Sequence, residues 1–448
     1  MSEKNEYINR VLNAISCLTV YRKVCADPIL LDFRDLLELA VEKRAAAAEK
    51  CYSLIGSLLN LQHQCHLPGA DIFKNHLLDR LTTIENAFSL AAERQEYLAL
   101  DALLLRAVKN DLRLLQVIAE FNLADLTMSL RSETKLGDLV PTYENLDAGT
   151  VYGNACSDYY LEKRETFKAL LAGAADWGAM TRELHAFYRA TGSGIFGRYR
   201  AFKWSSNSKT AGLLGVANPD PIRMEDLVGC DDQHREILQN TTQFVKGYSA
   251  NNVLLYGDRG TGKSSTIKSL IHIFGSEGLR LVEVSKHDLL NLHEIIAVIG
   301  MRTQKFILFI DDLSFEENET EYKDLKALLE GSIAKPPDNV LVYATSNRRN
   351  LVREFFSDRV TDEVGKQDTY QEKLSLADRF GIKLLFPTPD QRGYLRAVDA
   401  IAEKRGVMIN KSELHDLALR WVMWHNARSG RTARQFVDDL QGKLSMGK

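Results

Sequence analysis

Residues 257–264 read GDRGTGKS and satisfy the spacing G-x-x-x-x-G-K-[ST]. They follow a short aliphatic run, VLLYG at 253–257, and lead into an apolar-periodic segment, SSTIKSLIHIF at 264–274. A buried strand, a glycine-rich turn and a helix start, in this order, are the context in which such a turn surrounds a phosphate group. The sequence therefore predicts a phosphate-binding loop at the end of a buried strand.

The residue types in this loop indicate which groups of a nucleotide it would hold. Its glycines let the backbone curl so that successive N–H groups point at one phosphate, and the start of the following helix adds a favourable field. Lys263 is expected to reach the β- and γ-phosphates, and Ser264 to ligate Mg²⁺. The alternative is a glycine-rich turn without a ligand, which the flanking strand and helix disfavour. ATP and Mg²⁺ are thus the predicted cofactors, and the predicted loop contacts are Gly257, Asp258, Arg259, Gly260, Thr261, Gly262, Lys263, Ser264 and Ser265.

Polar side chains at the ends of two later apolar runs extend this prediction. KFILFIDD, 305–312, ends in two carboxylates, and sheet ligands lie at the carboxyl ends of parallel strands. Asp311 is predicted to join the Mg²⁺ shell through water, and Asp312 to polarise the attacking water. Asn347 follows NVLVYAT, 339–345, where an amide can position that water or contact the γ-phosphate. A helix cap or a turn is the alternative role for each of the three.

Two arginines follow at positions that suit phosphate chemistry. Arg379, in SLADRFGIKLLF at 375–386, is predicted to reach the ATP site of a neighbouring subunit and neutralise charge in the transition state. Arg434, in SGRTARQFVDDL at 429–440, is predicted to fold back over the phosphates in its own subunit. A surface salt bridge is the alternative for either residue.

The order of these motifs resembles the AAA+ ATPase family over roughly residues 205–445. The motifs of this chain follow one another in the order typical of that family: GDRGTGKS, FILFIDD, ATSN, DRFGI and GRTARQF. MEDLVGCDDQ, 224–233, is similar to the element that holds the adenine, which implicates Val228 and Gly229. NNVLLYGDRGTGKSS and VLVYATSNRRNLVREFFSD resemble more closely a group of bacterial AAA+ proteins of unknown function, in which a helical region precedes the ATPase module.

This resemblance implies a fold, a nucleotide and an assembly, but no cellular role. The implied fold class is an α/β P-loop NTPase module of the AAA+ type with a parallel sheet, a helical lid at the carboxyl end and an all-α amino-terminal region. The implied partners are further copies of the chain in a homo-oligomeric ring, with the arginine acting in trans, and a protein bound through the amino-terminal helices.

The chain departs from many AAA+ proteins at the second carboxylate. Many of them end the second motif in Asp-Glu, whereas this chain has Asp311 followed by Asp312. The side chain of Asp312 is one methylene shorter than that of a glutamate. Because a general base must come within hydrogen-bond reach of its water, hydrolysis is either slow or assisted by Glu316. We still expect turnover, since the other motifs are present. The run 311–324 holds seven acids against Lys323 alone, which indicates a solvated acidic segment or a surface for a basic partner.

Composition suggests how the 448 residues divide. Residues 1–190 hold only 7 of the 28 glycines, and apolar residues recur at helical intervals over 30–59 and 97–121. We predict a helical region over 1–205, an ATP-binding α/β domain over 206–388 and a helical lid over 389–448. The basic and aromatic stretch GIFGRYRAFKW, in the junction, is either a nucleic-acid or partner surface or a linker that packs on the ATP domain.

Charge and targeting signals narrow the classes of function. The net charge of −3 gives no global indication of nucleic acid or an acidic membrane, and no apolar run approaches the ~20 residues of a membrane span. The first ten residues lack a secretory layout and the six cysteines form no CxxC pair, so a cytoplasmic protein is expected. The leading function is an Mg²⁺-dependent ATPase that remodels or loads a macromolecule. The alternatives are a nucleotide-gated assembly switch with negligible turnover and, less favoured, a DNA-associated ATPase.

Overall fold

The computed structural model describes residues 3–42, 44–64, 71–134, 158–206, 212–315, 322–330, 337–347, 376–425 and 428–446. The chain forms two compact units, Met1–Tyr199 and Arg200–Lys448. Among the helices so described, none combines the length and the apolarity needed to cross a bilayer.

The amino-terminal unit is helical throughout its described part. Its helices are α1 Glu3–Ser16, α2 Pro28–Glu42, α3 Arg44–Gln64, α4 Ile72–Thr83, α5 Ala87–Arg94, α6 Ala102–Ala119, α7 Leu123–Thr134, α8 Asp158–Ala172, α9 Thr181–Thr191 and α10 Gly194–Arg198. In α6 the apolar stripe turns inward, and Val108, Leu112 and Leu115 are fully buried in the core of this unit. The predicted all-α amino-terminal region is confirmed.

A buried carboxylate ties α6 to the segment that follows α1. Asp111 is fully buried. It accepts hydrogen bonds from the backbone N–H of Thr19 at 3.0 Å and of Tyr21 at 2.9 Å, and from the Thr19 hydroxyl at 3.0 Å. A carboxylate inside a core is tolerated only when hydrogen-bond donors surround it, so this residue and its donors depend on one another.

We expect Asp111→Ala to destabilise the amino-terminal unit by about 3 kcal/mol, because several donors lose their acceptor in a buried place. Asp101→Ala is the matched control, since Asp101 only caps α6 by accepting the Leu104 N–H, and it should cost about 1 kcal/mol. Amide hydrogen exchange within α6 of the full chain measures both. Equal losses would contradict the role given to Asp111.

The carboxyl-terminal unit is built on a sheet whose described part has seven strands in the order β2-β1-β4-β5-β6-β3-β7. The strands are β1 Ala201–Ser205, β2 Gly212–Val216, β3 Val253–Gly257, β4 Leu279–Val284, β5 Lys305–Ile310, β6 Val340–Ser346 and β7 Ile382–Phe386. All neighbouring strands pair in parallel except β1 and β2, which form an antiparallel pair. Strands β5 and β6 are almost entirely buried, as expected for continuous apolar runs covered on both faces.

Helices of the same unit lie between and after these strands. They are α11 Asp231–Val245, α12 Lys263–Phe274, α13 Leu292–Ile299, α14 Tyr322–Glu330, α15 Gln391–Lys404, α16 Lys411–His425 and α17 Gly430–Ser445. The last three form a lid with its own apolar core, in which Tyr394, Val398 and Val437 are fully buried. The predicted parallel sheet and carboxyl-terminal helices are confirmed.

The junction between the units differs from the expected linker. The stretch 194–204 supplies α10 and then β1, which pairs with β4 through Phe202 and Val282. The division of the chain therefore lies at residues 199 and 200, six residues before the predicted boundary at 205 and 206. The aromatic side chain of Phe202 is 1% exposed and belongs to the sheet rather than to a surface.

Candidate nucleotide-binding site

The strand order brings four chain segments to one edge of the sheet. Strand β3 lies between β6 and β7, and β5 lies beside β6. Because these strands are parallel, the loop after each of them leaves the sheet at the same edge. The glycine-rich loop after β3 therefore meets the carboxylates that follow β5 and the amide that follows β6.

Glycine is required at three points of the loop. Gly257, Gly260 and Gly262 have φ values of 140°, 79° and 95°, a region that other residues adopt only with strain. At Gly257 there is also no room for a side chain, because a Cβ would overlap the carbonyl oxygen of Phe386 in β7. The loop thus turns sharply against β7 and releases the chain into α12 at Lys263.

Lys263 lies under the loop with its ammonium group held by backbone carbonyls. Its Nζ donates to the carbonyl oxygens of Gly257 and Asp258, both at 2.7 Å, and lies 3.4 Å from Oδ1 of Asn347. The residue is only 6% exposed. Burial lowers the pKa of the Lys263 ammonium below its usual value, and the nearby carboxylates, first Asp312, oppose that shift. A cation enclosed by oxygen atoms in this way is placed to meet a phosphate.

Oxygen ligands suitable for Mg²⁺ converge beside Lys263. The Ser264 hydroxyl donates to Oδ1 of Asp311 at 2.5 Å, and the Thr345 hydroxyl donates to the same oxygen at 2.6 Å. No group of three or more His, Cys, Asp or Glu side chains that could enclose a metal occurs among the described residues. One carboxylate and one hydroxyl nevertheless fit Mg²⁺, which keeps several waters and completes its shell with substrate phosphates.

Asp312 has an unusual backbone conformation. Its φ of 53° is one of two positive values at non-glycine residues in the described chain, and its N–H donates to the Thr345 hydroxyl at 2.9 Å. The carboxylate accepts from Nδ2 of Asn347 at 2.5 Å and lies 3.9 Å from the guanidinium of Arg259. Asp312 and Asn347 therefore form one polar pair at the mouth of the loop.

These groups line a cavity of about 730 Å³ between the sheet edge and the lid. Val228 and Gly229 belong to its lining, and Ile222, Leu227 and Ile401 add apolar surface. The volume lies in the range of small-molecule sites, and a lining that combines charged and apolar groups suits a nucleotide. Of the sequence-predicted nucleotide contacts, the cavity lining includes Val228, Gly229, Arg259, Gly260, Thr261, Gly262, Lys263, Ser264, Ser265 and Arg434.

The lid closes this cavity by direct contact with the loop. The Gly430 N–H, at the start of α17, donates to the carbonyl oxygen of Gly260 at 3.1 Å. Asp226, just before the Val228 segment, pairs with Lys404 at the end of α15. Burial alone would raise the pKa of the Asp226 carboxyl, but the hydrogen bond from Lys404 and the charge of Arg434 help to hold that pKa below its usual value.

Three predicted site residues, Gly257, Asp258 and Arg379, do not line the cavity. The carbonyl oxygen of Gly257 instead accepts from Lys263. Asp258 turns its carboxylate to the hydroxyl of Thr388, just after β7, while its carbonyl holds Lys263. Arg379 lies just before β7, where its N–H donates to the Leu376 carbonyl at 3.3 Å, and it is absent from the described lining of its own cavity. The suggested helper Glu316 and the acidic stretch 316–321 lie outside the described residues.

Sequence reasoning missed several residues that the fold brings to the site. Thr345 contacts both carboxylate-bearing residues, and Arg396 and Arg431 of the lid line the cavity beside Arg434. Thr345 carries a local signal, because it is a polar residue at the buried end of an apolar strand. The two arginines carry none, since their position depends on how the lid folds back.

Comparison with known proteins assigns the chain to a family. The model of a family described as "Protein of unknown function (DUF815)" matches residues 197–444, which is more than half of the chain. The chain belongs to the DUF815 family. The sequence-based resemblance to a family of unknown function is thereby confirmed. The DUF815 match covers the carboxyl-terminal unit rather than most of the amino-terminal helices.

The sheet gives this DUF815 protein the fold of the AAA+ P-loop ATPases. The five strands from β3 to β7 lie side by side in the order β7-β3-β6-β5-β4. If the strand before the loop, β3, is counted as the first, this order is fifth, first, fourth, third, second. No curated protein matches the chain.

Among solved structures, the chain is similar to the RuvB Holliday junction branch migration motor of Thermotoga maritima, with 17% identity and a TM-score of 0.35. The match covers 50% of this chain and 66%, just under two thirds, of that one. A mutant of the same RuvB matches with 16% identity, a TM-score of 0.36 and the same two coverages.

We expect Gly257→Ala and Gly262→Ala to differ sharply in stability. In Gly262→Ala the new Cβ meets no atom closer than 4.0 Å, so the cost is backbone strain alone, about 1–2 kcal/mol. In Gly257→Ala the Cβ would overlap the Phe386 carbonyl and force β3 away from β7, so the loss should be clearly larger. Urea unfolding of the two variants measures the difference, and equal midpoints would contradict the close approach of the loop to β7.

Proposed function

We propose that this DUF815 protein binds ATP with Mg²⁺ and hydrolyses it. The observation that carries the proposal is the convergence of Lys263, the Ser264–Asp311 pair and the Asp312–Asn347 pair on one cavity beside a glycine-rich loop. Each of these groups has a position that matches one need of phosphoryl transfer: a cation for the phosphates, oxygen ligands for a metal, and a base for water.

In the proposed reaction, Lys263 exchanges its backbone carbonyl partners for the β- and γ-phosphate oxygens. Ser264 and Asp311 would hold the magnesium ion, which supplies charge neutralisation to the phosphates when it is bound. Asp312 accepts a proton from the attacking water, and Asn347, which already touches Asp312, orients that water. Arg434 and its neighbour Arg431 approach the phosphates from the lid.

The proposal extends to assembly and to work on a partner. Since Arg379 is absent from the described lining of its own cavity, we infer that it serves the site of a neighbouring copy in a ring. The contacts between Gly260 and Gly430 and between Asp226 and Lys404 connect the site to the lid, so turnover would move the lid. The amino-terminal unit, which has a separate apolar core, would select the macromolecule to be remodelled or loaded.

Lys263→Ala tests hydrolysis. We expect phosphate release with Mg²⁺ and ATP to fall about 10²–10³-fold, because a preorganised cation is lost from the phosphates. Lys268→Ala is the matched control on the same helix, where the ammonium lies over the Phe309 ring at 5.7 Å, and it should keep its rate. A wild-type protein that releases no phosphate, or a Lys263→Ala variant as active as wild type, would refute the proposed hydrolysis.

A mixing experiment tests whether Arg379 acts in trans. Arg379→Ala and Lys263→Ala should each be inactive alone, with a loss on the order of 10³-fold for the arginine. When the two are mixed, intact sites of the first protein can meet intact arginines of the second, so part of the activity should return. A mixture that stays inactive, although the two proteins co-assemble in sedimentation, would show that Arg379 does not act across subunits.

One observation favours a second function, a nucleotide-gated assembly switch with negligible turnover. The Asp312 carboxylate is engaged by Asn347 and lies near Arg259, so two side chains compete with water for the proposed base. Such a switch would change its mass with ATP, as measured by light scattering, while releasing phosphate too slowly to account for that change. Phosphate release as fast as the ATP-dependent change in mass would exclude the assembly switch.

A further inference from the structure

Thr345 makes three hydrogen bonds to the segment that carries both carboxylates. Its hydroxyl donates to Oδ1 of Asp311 at 2.6 Å and accepts the Asp312 N–H at 2.9 Å. Its carbonyl oxygen accepts the Leu313 N–H at 2.7 Å. Thr345 is 1% exposed and lies one residue before the end of β6, so its own position is fixed by the sheet.

These bonds account for the backbone of Asp312. A φ of 53° is uncommon for a residue with a side chain, and such a conformation persists only where the surroundings hold it. Thr345 receives two consecutive N–H groups, those of Asp312 and Leu313, and so holds the turn in which Asp312 adopts this conformation. In this conformation the Asp312 carboxylate accepts a hydrogen bond from Asn347.

The same hydroxyl orients the other carboxylate. Oδ1 of Asp311 accepts from Thr345 on one side and from Ser264 on the other. A single oxygen atom of Thr345 therefore joins the two groups that we assign to the metal and to the water. Asn347 acts differently, because its amide bonds an oxygen of the Asp312 side chain, whereas Thr345 bonds the Asp312 backbone.

We propose that Thr345 is a positioning residue of the ATPase site, which acts through Asp311 and Asp312 by setting the carboxylate orientation of the first and the backbone of the second. This inference rests on the proposed function for its effect on turnover. Its effect on Asp311 does not require turnover and is measured separately through Mg²⁺.

The test compares Thr345→Val, which replaces the hydroxyl by a methyl group, with Thr345→Ser, which keeps the hydroxyl. We expect kcat for phosphate release to fall about 10- to 100-fold in Thr345→Val, because small displacements of catalytic groups cost rates of this size. KM for ATP should change by no more than about threefold, since the groups that bind the nucleotide remain. Thr345→Ser should retain most of kcat.

Thr241→Val is the matched structural control. Thr241 is fully buried in the same unit, and its hydroxyl bonds the Ile237 carbonyl at 2.8 Å and the Tyr343 hydroxyl at 3.0 Å, away from the cavity lining. It should lose thermal stability but keep kcat. Equal loss of kcat in Thr241→Val and Thr345→Val would overturn the inference, as would an unchanged kcat in Thr345→Val with an active wild type.

A second measurement does not depend on hydrolysis. Binding of a fluorescent ATP analogue is followed during titration with Mg²⁺, and the midpoint should rise several-fold in Thr345→Val but stay near wild type in Thr345→Ser. If the wild type releases no phosphate, the proposed function fails and this midpoint alone decides: a shift supports the positioning of Asp311, and no shift overturns it. Thr345→Cys, whose thiol is a weak donor, replaces Thr345→Val if the latter does not fold.

Discussion

The parallel pairing of β3 between β6 and β7 is the constraint on which the rest of the site depends. Strand β3 aligns Leu254 with Ala344 on one side and with Lys383 on the other, so the ends of three strands are fixed relative to the loop. The loop can then pass close to Phe386 only because residue 257 has no side chain. Polar groups that are distant in sequence therefore become neighbours at one edge of the sheet.

The predictions that depended on contiguous sequence were the accurate ones. The glycine-rich loop, the strand before Asp311 and the strand before Asn347 are each defined by a few adjacent residues, because an apolar run followed by a polar residue already specifies a buried strand and its end. The lid helices were also predictable, since the apolar periodicity of each helix is local. The sequence therefore indicated the fold class and 13 of the 29 described residues that line the cavity.

The features that sequence reasoning missed depend on long-range pairing. Residues 201–205 resemble a basic, aromatic linker, and they become strand β1 only because β4 offers an unpaired edge about 80 residues later. The link from Thr345 to Asp311 and Asp312 requires the register of β5 against β6. The place of Arg431 requires the lid to fold back onto Gly260, which no local pattern specifies.

Strand β7 connects Arg379 at one end to the glycine-rich loop at the other. Arg379 lies just before its first residue, its last residue, Phe386, contacts Gly257, and Thr388, just beyond, bonds Asp258. A strand extends about 3.3 Å per residue, so β7 separates these contacts along a nearly straight stretch of backbone. On the proposed function, in which Arg379 serves a neighbouring copy, β7 would connect that contact to the phosphate loop of its own subunit.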